Sequence, residues 1–198
     1  MANADGLANR VNTITGVAYK DDPAIFAWEL MNEPDIRPPA LRDSWLTEMA
    51  SYVKSVDPNH LLSSGRANVR DKLGDIAISS FDFGVWHGYP IHSNLTPAHV
   101  ETLISEFCEI GRAHGKPVVL EEFGFARSNP DQAQVYRSWL EAVQRNSACG
   151  GWLVWRLVSP QDSGKFPRDE HDQFDIRNDG SEVWDVLKEA AVALRSRR

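Results

Sequence analysis

Cysteine is scarce in this sequence, with two residues among 198. Cys108 and Cys149 each lie among apolar neighbours. Two cysteines are too few for a disulfide framework, so we predict two buried free thiols rather than a bridge or a metal site. This prediction leaves the redox state of the compartment open.

An excess of basic residues and a long hydrophobic run are also missing. The formal net charge is −7, which argues against nucleic acid or an anionic membrane surface as a partner. No segment is long enough to span a bilayer, and the residues after Met1 lack the basic and apolar regions of a secretory signal. With 42% hydrophobic and 25% charged residues, we expect one soluble globular domain.

An apolar run over residues 23–34 (PAIFAWELMNEP) is the most informative stretch that is present. Its Ile, Phe and Trp favour a buried strand, and Pro34 cannot extend a ladder. The strand would deliver Asn32 and Glu33 together at its C-terminal end. Parallel α/β sheets place their chemistry at such ends, so Glu33 is the first candidate site residue.

Strand-like and helix-like segments alternate along the rest of the chain. Apolar periodicity, capping residues and Gly or Pro breaks predict helices at 5–19, 41–56, around 69–73, 96–113, 131–143 and 181–194. Further strands are predicted at 60–65, 81–89, 117–122 and 150–155, followed by a polar loop at 156–176. This order predicts a parallel sheet wrapped by helices. Five strands can be counted, whereas a closed barrel needs eight.

Two strand ends carry carboxylates, Glu33 and Glu122. About three strand–helix units separate them, so they would face each other across a barrel mouth. Each glutamate taken alone is as well explained by a helix cap or a solvated side chain. Together at matching strand ends, they favour a pair of the kind that glycoside hydrolysis requires.

Aromatic and imidazole side chains are predicted beside this pair. His87 and Tyr89 share one face of the third strand, although either alone could be an ordinary core residue. Trp155 ends the fifth strand, on the opposite face from Trp152. Trp155 could fill the core or form a platform under a sugar, and composition alone does not distinguish these two roles.

Four motifs resemble the successive motifs of glycoside hydrolase family 5, and the nearest resemblance is to its endo-β-1,4-mannanase branch. They are DDPAIFAWELMNEP at 21–34, HGYP at 87–90, GKPVVLEEFG at 115–124 and GWLVW at 151–155. The resemblance runs from about Leu7 to the C-terminus. It implies a retaining, metal-free (β/α)8 TIM barrel with about its last five strands present. Residues 1–198 are then expected to be the C-terminal part of a single catalytic domain, without a second domain.

The resemblance also implies roles for individual residues. It suggests a β-linked polysaccharide as substrate, no cofactor, and secretion of the full-length members. The roles it implies are Glu33 as acid/base, Glu122 as nucleophile, Asn32 as a partner of the sugar 2-hydroxyl, His87 and Tyr89 as supports of the reacting carboxylates, and Trp155 as the platform at the cleavage point.

Glu121 competes with Glu122 as nucleophile. Strand alternation places the two on opposite faces, and the family pattern has the nucleophile directly before Phe-Gly, so we select Glu122. The acidic run 169–172 is expected to be a solvated loop near the cleft that contacts sugar rather than a metal site.

Several alternatives stay open. The motifs constrain the mechanism better than the sugar, so a β-1,4-glucanase is the second candidate, and an inactive sugar-binding half-barrel is a third. The family's first three strands have no counterpart here, so we expect Glu29 to have a partner in that missing part. Exposed sheet edges predict self-association and weak or absent activity of this chain alone.

Overall fold

Helices and short strands alternate along residues 2–168 and 173–197, which the computed structural model describes. The helices are α1 (Ala2–Ala8), α2 (Pro39–Val56), α3 (Pro90–Ser93), α4 (Pro97–Ala113), α5 (Gln132–Arg145) and α6 (Glu182–Ser196). The strands are β1 (Ala27–Glu29), β2 (Leu61–Ser63), β3 (Gly84–Gly88), β4 (Val118–Phe123), β5 (Cys149–Trp152), β6 (Leu157–Val158) and β7 (Ile176–Arg177).

All strand pairs are parallel, as predicted, but the five expected strands form two separate sheets instead of one. β1 pairs with β2, and β3, β4 and β5 form a second sheet in that order. Between them, the Asp82 amide donates to the Leu62 carbonyl at 2.9 Å, and the Leu62 amide donates to Asp82 Oδ2 at 2.8 Å. Asp82 therefore links the two sheets at the position where neighbouring strands would pair in a continuous barrel.

The predicted opening and fifth strands are shorter than expected: β1 ends at Glu29 and is only partly buried, and β5 ends at Trp152, so Glu33 and Trp155 lie beyond their strands. Three further predicted elements differ in type from the observed ones. The helix expected at 5–19 ends at Ala8, because the Asn12 side chain accepts two backbone N–H bonds and turns the chain into a bridge between Val11 and Ala18. The helix expected around 69–73 is a set of turns, with Leu73 at a φ of 59°. The loop at 156–176 carries β6 and β7, which pair with each other.

The main core lies between the β3–β4–β5 sheet and helices α4, α5 and α6. Trp86, Phe107, Tyr136 and Trp139 are its largest fully buried side chains. Thr96 begins α4 as predicted, since its hydroxyl accepts from the backbone N–H three residues on. These helices cover the outer face of the sheet and leave its C-terminal strand ends open.

Cys108 and Cys149 form a disulfide, so the prediction of two free thiols is wrong. Both residues are buried, as expected. α4 packs against β5 and brings the two Cα atoms to 4.9 Å, a proximity that 41 residues of sequence separation conceal. Tertiary packing of a helix on a strand thus decided the pairing.

The buried carboxylate of Asp57 anchors β1 through a hydrogen bond from Trp28. Asp57 Oδ2 accepts from Trp28 Nε1 at 2.6 Å and lies 2.7 Å from His60 Nδ1. The other edge of β1 meets no strand in the described part of the chain. Among residues 2–168 and 173–197, no helix combines the length and apolar character needed to cross a membrane.

Candidate active site

Glu33 follows β1 and is held by a tight backbone contact with the turn after β2. Its N–H donates to the Gly65 carbonyl at 2.7 Å, and its φ of 47° lies in the left-handed region that glutamate seldom occupies. Gly65 also has a positive φ of 72°, and a Cβ there would lie 2.3 Å from the Met31 carbonyl oxygen. The close approach therefore requires glycine at position 65 and fixes where Glu33 points.

Glu122 lies near the end of β4 and is hydrogen-bonded to a tyrosine that directly follows the neighbouring strand β3. The Tyr89 hydroxyl donates to Glu122 Oε2 at 2.7 Å. Burial and the adjacent Glu122 raise the pKa of Tyr89 far above its usual range, so the hydroxyl keeps its proton. Tyr89 is thus a permanent donor to the Glu122 carboxylate.

His87 connects three carboxylates and is almost fully buried. Its Nδ1 lies 2.6 Å from Glu33 Oε1 and 3.5 Å from Glu122 Oε2, and its Nε2 lies 3.2 Å from Glu121 Oε2. Burial alone would lower the pKa of His87, but the hydrogen bonds to Glu121 and Glu33 raise it overall. The ring therefore favours the charged form more than a free histidine does.

Simple alternation along β4 does not describe Glu121 and Glu122, because both carboxylates contact the His87 ring. The ladder between β3 and β4 shifts at this point: Trp86 pairs with Leu120, whereas His87 pairs with Glu122. Glu121 is left without a directly opposed residue. The irregularity allows two successive glutamates to approach one imidazole from its two nitrogens.

The carboxylates of Glu33 and Glu122 lie close together. One oxygen from each, together with a ring nitrogen of His87, lie within 4.8 Å of one another. Within the described ranges, these three residues are the cluster whose donor atoms could hold a cation. The spacing also fits the separation of about 5–5.5 Å in retaining glycosidases, against roughly 6.5–9.5 Å in inverting ones.

An open cavity of about 910 Å³ lies over these groups. Asn32 and Trp155 line it together with Glu33, His87, Tyr89 and Glu122, so the structure brings all six predicted site residues to one place. Trp155 is 43% exposed, while Trp152 packs against the core. This exposure favours a platform over a core plug for Trp155.

Sequence reasoning missed part of the support for this site. Gly65 is one such residue, and Ser63 is another, because its hydroxyl donates to Glu29 Oε1 at 2.7 Å. Glu29 is also hydrogen-bonded to Glu121, so it has two partners within this chain rather than depending on a missing part. A glycine at the end of a predicted strand was the signal that the sequence held for Gly65, and nothing in the pattern indicated the Glu29–Glu121 contact. The acidic run 169–172 lies outside the described residues.

Paired carboxylates at parallel strand ends beside an open cavity form the kind of site that glycoside hydrolases use. The sequence profile described as "GH family 5 beta-mannosidase-like" matches residues 3–147, and the chain belongs to this family. The family assignment agrees with the motif resemblance.

Known proteins similar to this chain are named as mannanases. A putative mannan endo-1,4-beta-mannosidase 9 of Oryza sativa subsp. japonica is 35% identical over 187 residues, covering 76% of this chain and 46% of that protein. Mannan endo-1,4-beta-mannosidase 3 of Arabidopsis thaliana is 33% identical over 193 residues, covering 77% and 47%. The chain thus spans about half the length of these curated relatives.

Solved structures show the same partial coverage. The endo-beta-1,4-mannanase from Thermotoga petrophila superposes with a TM-score of 0.81 at 30% identity, covering 98% of this chain and 49% of that one. The endo-1,4-beta-mannanase from Rhizomucor miehei gives a TM-score of 0.85 at 25% identity, covering 99% and 60%. These neighbours are TIM-barrel enzymes, and the described strands form part of such a barrel.

Proposed function

We propose that this chain carries the catalytic pair of a retaining endo-β-1,4-mannanase, with residues 1–198 forming the C-terminal part of one (β/α)8 catalytic domain. The observation that carries this proposal is the closeness of the Glu33 and Glu122 carboxylates, within 4.8 Å at one end of parallel strands. Family membership supports the reaction class, and the names of the similar proteins support mannan as the substrate.

The reaction proceeds in two displacements. In the first, a Glu122 oxygen attacks the anomeric carbon while Glu33 gives its proton to the departing glycosidic oxygen. In the second, Glu33 takes a proton from water, whose oxygen displaces Glu122 and restores the carboxylate. Glu122 is the better nucleophile than Glu121 on this proposal because it lines the cavity, whereas Glu121 contacts the His87 ring from behind.

The other site residues bind and orient. Tyr89 holds one oxygen of Glu122 and leaves the second free to attack. Trp155 and Asn32 line the cavity. On this proposal Trp155 packs against the sugar at the cleavage point and Asn32 bonds the 2-hydroxyl of that sugar. We propose no cofactor, because these side chains supply both the proton and the nucleophile.

The central experiment measures hydrolysis of β-1,4-mannan by the chain, by Glu122→Ala and by Glu33→Ala. Even if turnover is slow, Glu122→Ala should abolish it, and added azide should restore activity and yield a glycosyl azide of inverted configuration. Glu33→Ala should lose polysaccharide hydrolysis but still react with an aryl mannoside, whose leaving group needs no proton. Glu48→Ala, an exposed carboxylate on α2, is the matched control.

Equal turnover by the chain and by Glu122→Ala would contradict the proposal, as would an inverted primary product. A kcat/KM higher on β-1,4-glucan than on mannan would favour the glucanase alternative. Binding of mannan without hydrolysis would favour the sugar-binding alternative.

We also propose that the chain associates with itself through β1. Support comes from the unpaired edge of this strand in the described ranges and from the exposure of neighbouring Phe26 (74%) and Met31 (52%). Light scattering during size-exclusion chromatography tests this directly. A monomer at all concentrations would contradict it.

We propose that this protein occupies an oxidising compartment. The Cys108–Cys149 disulfide supports this, since such bonds form and persist mainly outside reducing compartments. Thiol titration of protein purified from its natural compartment under denaturing, non-reducing conditions tests the proposal. Two titratable thiols would contradict it.

A further inference from the structure

Two carboxylates that do not touch the sugar cavity lie directly behind the proposed acid/base. Glu121 contacts His87 Nε2, and Glu29 is hydrogen-bonded to Glu121 and accepts from the Ser63 hydroxyl. Neither glutamate lines the cavity of about 910 Å³. Their contacts form an unbroken line from Ser63 through Glu29, Glu121 and His87 to Glu33.

The two nitrogens of His87 face different oxygens, and this decides where its protons can lie. An ionised carboxylate at Nε2 can only accept, so it holds a proton on that nitrogen. Nδ1 then has a lone pair or a second proton to share with Glu33 Oε1, 2.6 Å away. With the Nε2 proton fixed, any further proton on this pair lies between Nδ1 and Glu33 Oε1, where Glu33 can use it as the acid.

We propose that Glu121 is a positioning residue that fixes a proton on His87 Nε2, and that Glu29 acts as the hydrogen-bond donor that holds Glu121 in place. The proton between Nδ1 and Glu33 Oε1 then stays available for transfer from Glu33 to the leaving group. This inference rests on the proposed function of Glu33. Without the acceptor at Nε2, the proton on that nitrogen is no longer held and can pass to solvent. The one proton that remains then lies on Nδ1 against an ionised Glu33, which has no proton to give.

The ionisation of the two glutamates agrees with this geometry. Burial, followed by the hydrogen bond and charge of Glu121, raises the pKa of Glu29 to about 8, so Glu29 keeps its proton at pH 7. Burial alone would raise the pKa of Glu121, but hydrogen bonds to His87 and Glu29 lower it overall. The ionisable groups that face His87 are Glu29 in β1, Glu33 after that strand, and Glu121 and Glu122 in β4; Tyr89, which follows β3, bonds Glu122.

The test compares Glu121→Met, Glu121→Gln and Glu29→Gln in the full chain, with Glu48→Gln as control. Glu121→Met removes the acceptor and should lower kcat by about 100-fold, the lower end of what acid–base catalysis contributes, with KM unchanged. Glu121→Gln keeps a carbonyl acceptor and should retain kcat to within about 10-fold of the unchanged chain. Glu29→Gln still donates to Glu121 and should retain nearly all activity at pH 7.

A second readout does not depend on catalysis. Long-range ¹H–¹⁵N correlation spectra of the histidine rings, with the His87 signals assigned through His87→Asn, report which nitrogen carries the proton. We expect Nε2–H in the unchanged chain, in Glu121→Gln and in Glu29→Gln, and loss of this preference in Glu121→Met.

A neutral His87 protonated on Nδ1 in the unchanged chain would overturn the inference, as would a Glu121→Met protein with unaltered ring shifts. A folded Glu121→Met that raises KM and leaves kcat unchanged would also overturn it. If circular dichroism finds Glu121→Met unfolded, the spectra of the unchanged chain and of Glu121→Gln still decide. If no form hydrolyses mannan, the proposed function fails, while the ring spectra separately decide whether Glu121 positions His87.

Discussion

The hydroxyl group of Tyr89 donates a 2.7 Å hydrogen bond to Oε2 of Glu122. Glu122 lies in β4, and Tyr89 directly follows β3, the parallel neighbour of β4, so the pairing of these two strands brings the residues together. Burial and the neighbouring Glu122 raise the pKa of Tyr89, so its hydroxyl keeps the proton that it donates to Glu122, the proposed nucleophile. The Tyr89–Glu122 hydrogen bond would hold the Glu122 oxygens in one orientation in both steps of the proposed reaction.

Replacing Tyr89 by Phe should therefore lower kcat by about 10- to 100-fold, the effect of losing a hydrogen bond to a charged group. Steady-state kinetics on an aryl mannoside measure the change, and Tyr52→Phe on α2 is the control. An unaltered kcat in a folded Tyr89→Phe would show that the bond plays no part in the reaction.

Replacing Gly65 by Ala should reduce both stability and activity. The new Cβ would meet the Met31 carbonyl oxygen at 2.3 Å and displace the turn that binds the Glu33 amide. Gly115→Ala is the matched control, because Gly115 has a similar φ of 68° but no atom within 4 Å of the position that a Cβ would occupy. We expect a cost of about 1–2 kcal/mol for the control, from its backbone conformation alone, with activity unchanged.

Gly65→Ala should cost more than the control in urea unfolding and should also lower kcat. Equal unfolding free energies for the two variants would contradict the proposed close approach. Full activity of Gly65→Ala would contradict its role in placing Glu33.

The Cys108–Cys149 disulfide should stabilise the fold substantially. It closes a loop across a sequence separation of 41 residues. Chain-entropy arguments give about 4 kcal/mol for a loop of this length, and the double variant Cys108→Ala/Cys149→Ala should lose about 2–4 kcal/mol. Urea unfolding with and without reductant measures this loss. Identical curves for the unchanged chain under both conditions would indicate two free thiols instead.

Stability should depend on pH through Glu29. Its pKa of about 8 in the fold lies above the ordinary value of 4.5, so between these values the folded state binds more protons than the unfolded state. The contribution of Glu29 is therefore fully present below about pH 4.5 and is lost as the pH rises through 8. Glu29→Gln removes this dependence, so its melting temperature should exceed that of the unchanged chain near pH 9.

Thermal melts from pH 5 to about pH 9 test the dependence, with Glu48→Gln as the control for loss of one surface charge. A difference between Glu29→Gln and the unchanged chain that stays constant over this range would mean that Glu29 is ionised throughout.

Sequence patterns alone predicted most of the order of elements and supplied the residues proposed to carry the chemistry. Apolar runs ending in polar residues predicted β1 and β4 with Glu33 and Glu122 at or near their ends, because burial of a strand and exposure of its end are local properties. The capping signal at Thr96 was equally local and is confirmed. The helix predicted at 5–19 was wrong because the Asn12 side chain competes with the helix for backbone bonds.

Only the tertiary structure decided contacts between residues far apart in the chain. The pairing of Cys108 with Cys149 depends on how α4 packs on β5, and the need for glycine at position 65 depends on the approach of Met31. The ladder shift between β3 and β4 lets Glu121 and Glu122 meet the same imidazole, although alternation predicts opposite faces. Register and packing are properties of neighbouring strands and helices together, so no single stretch of sequence contains them.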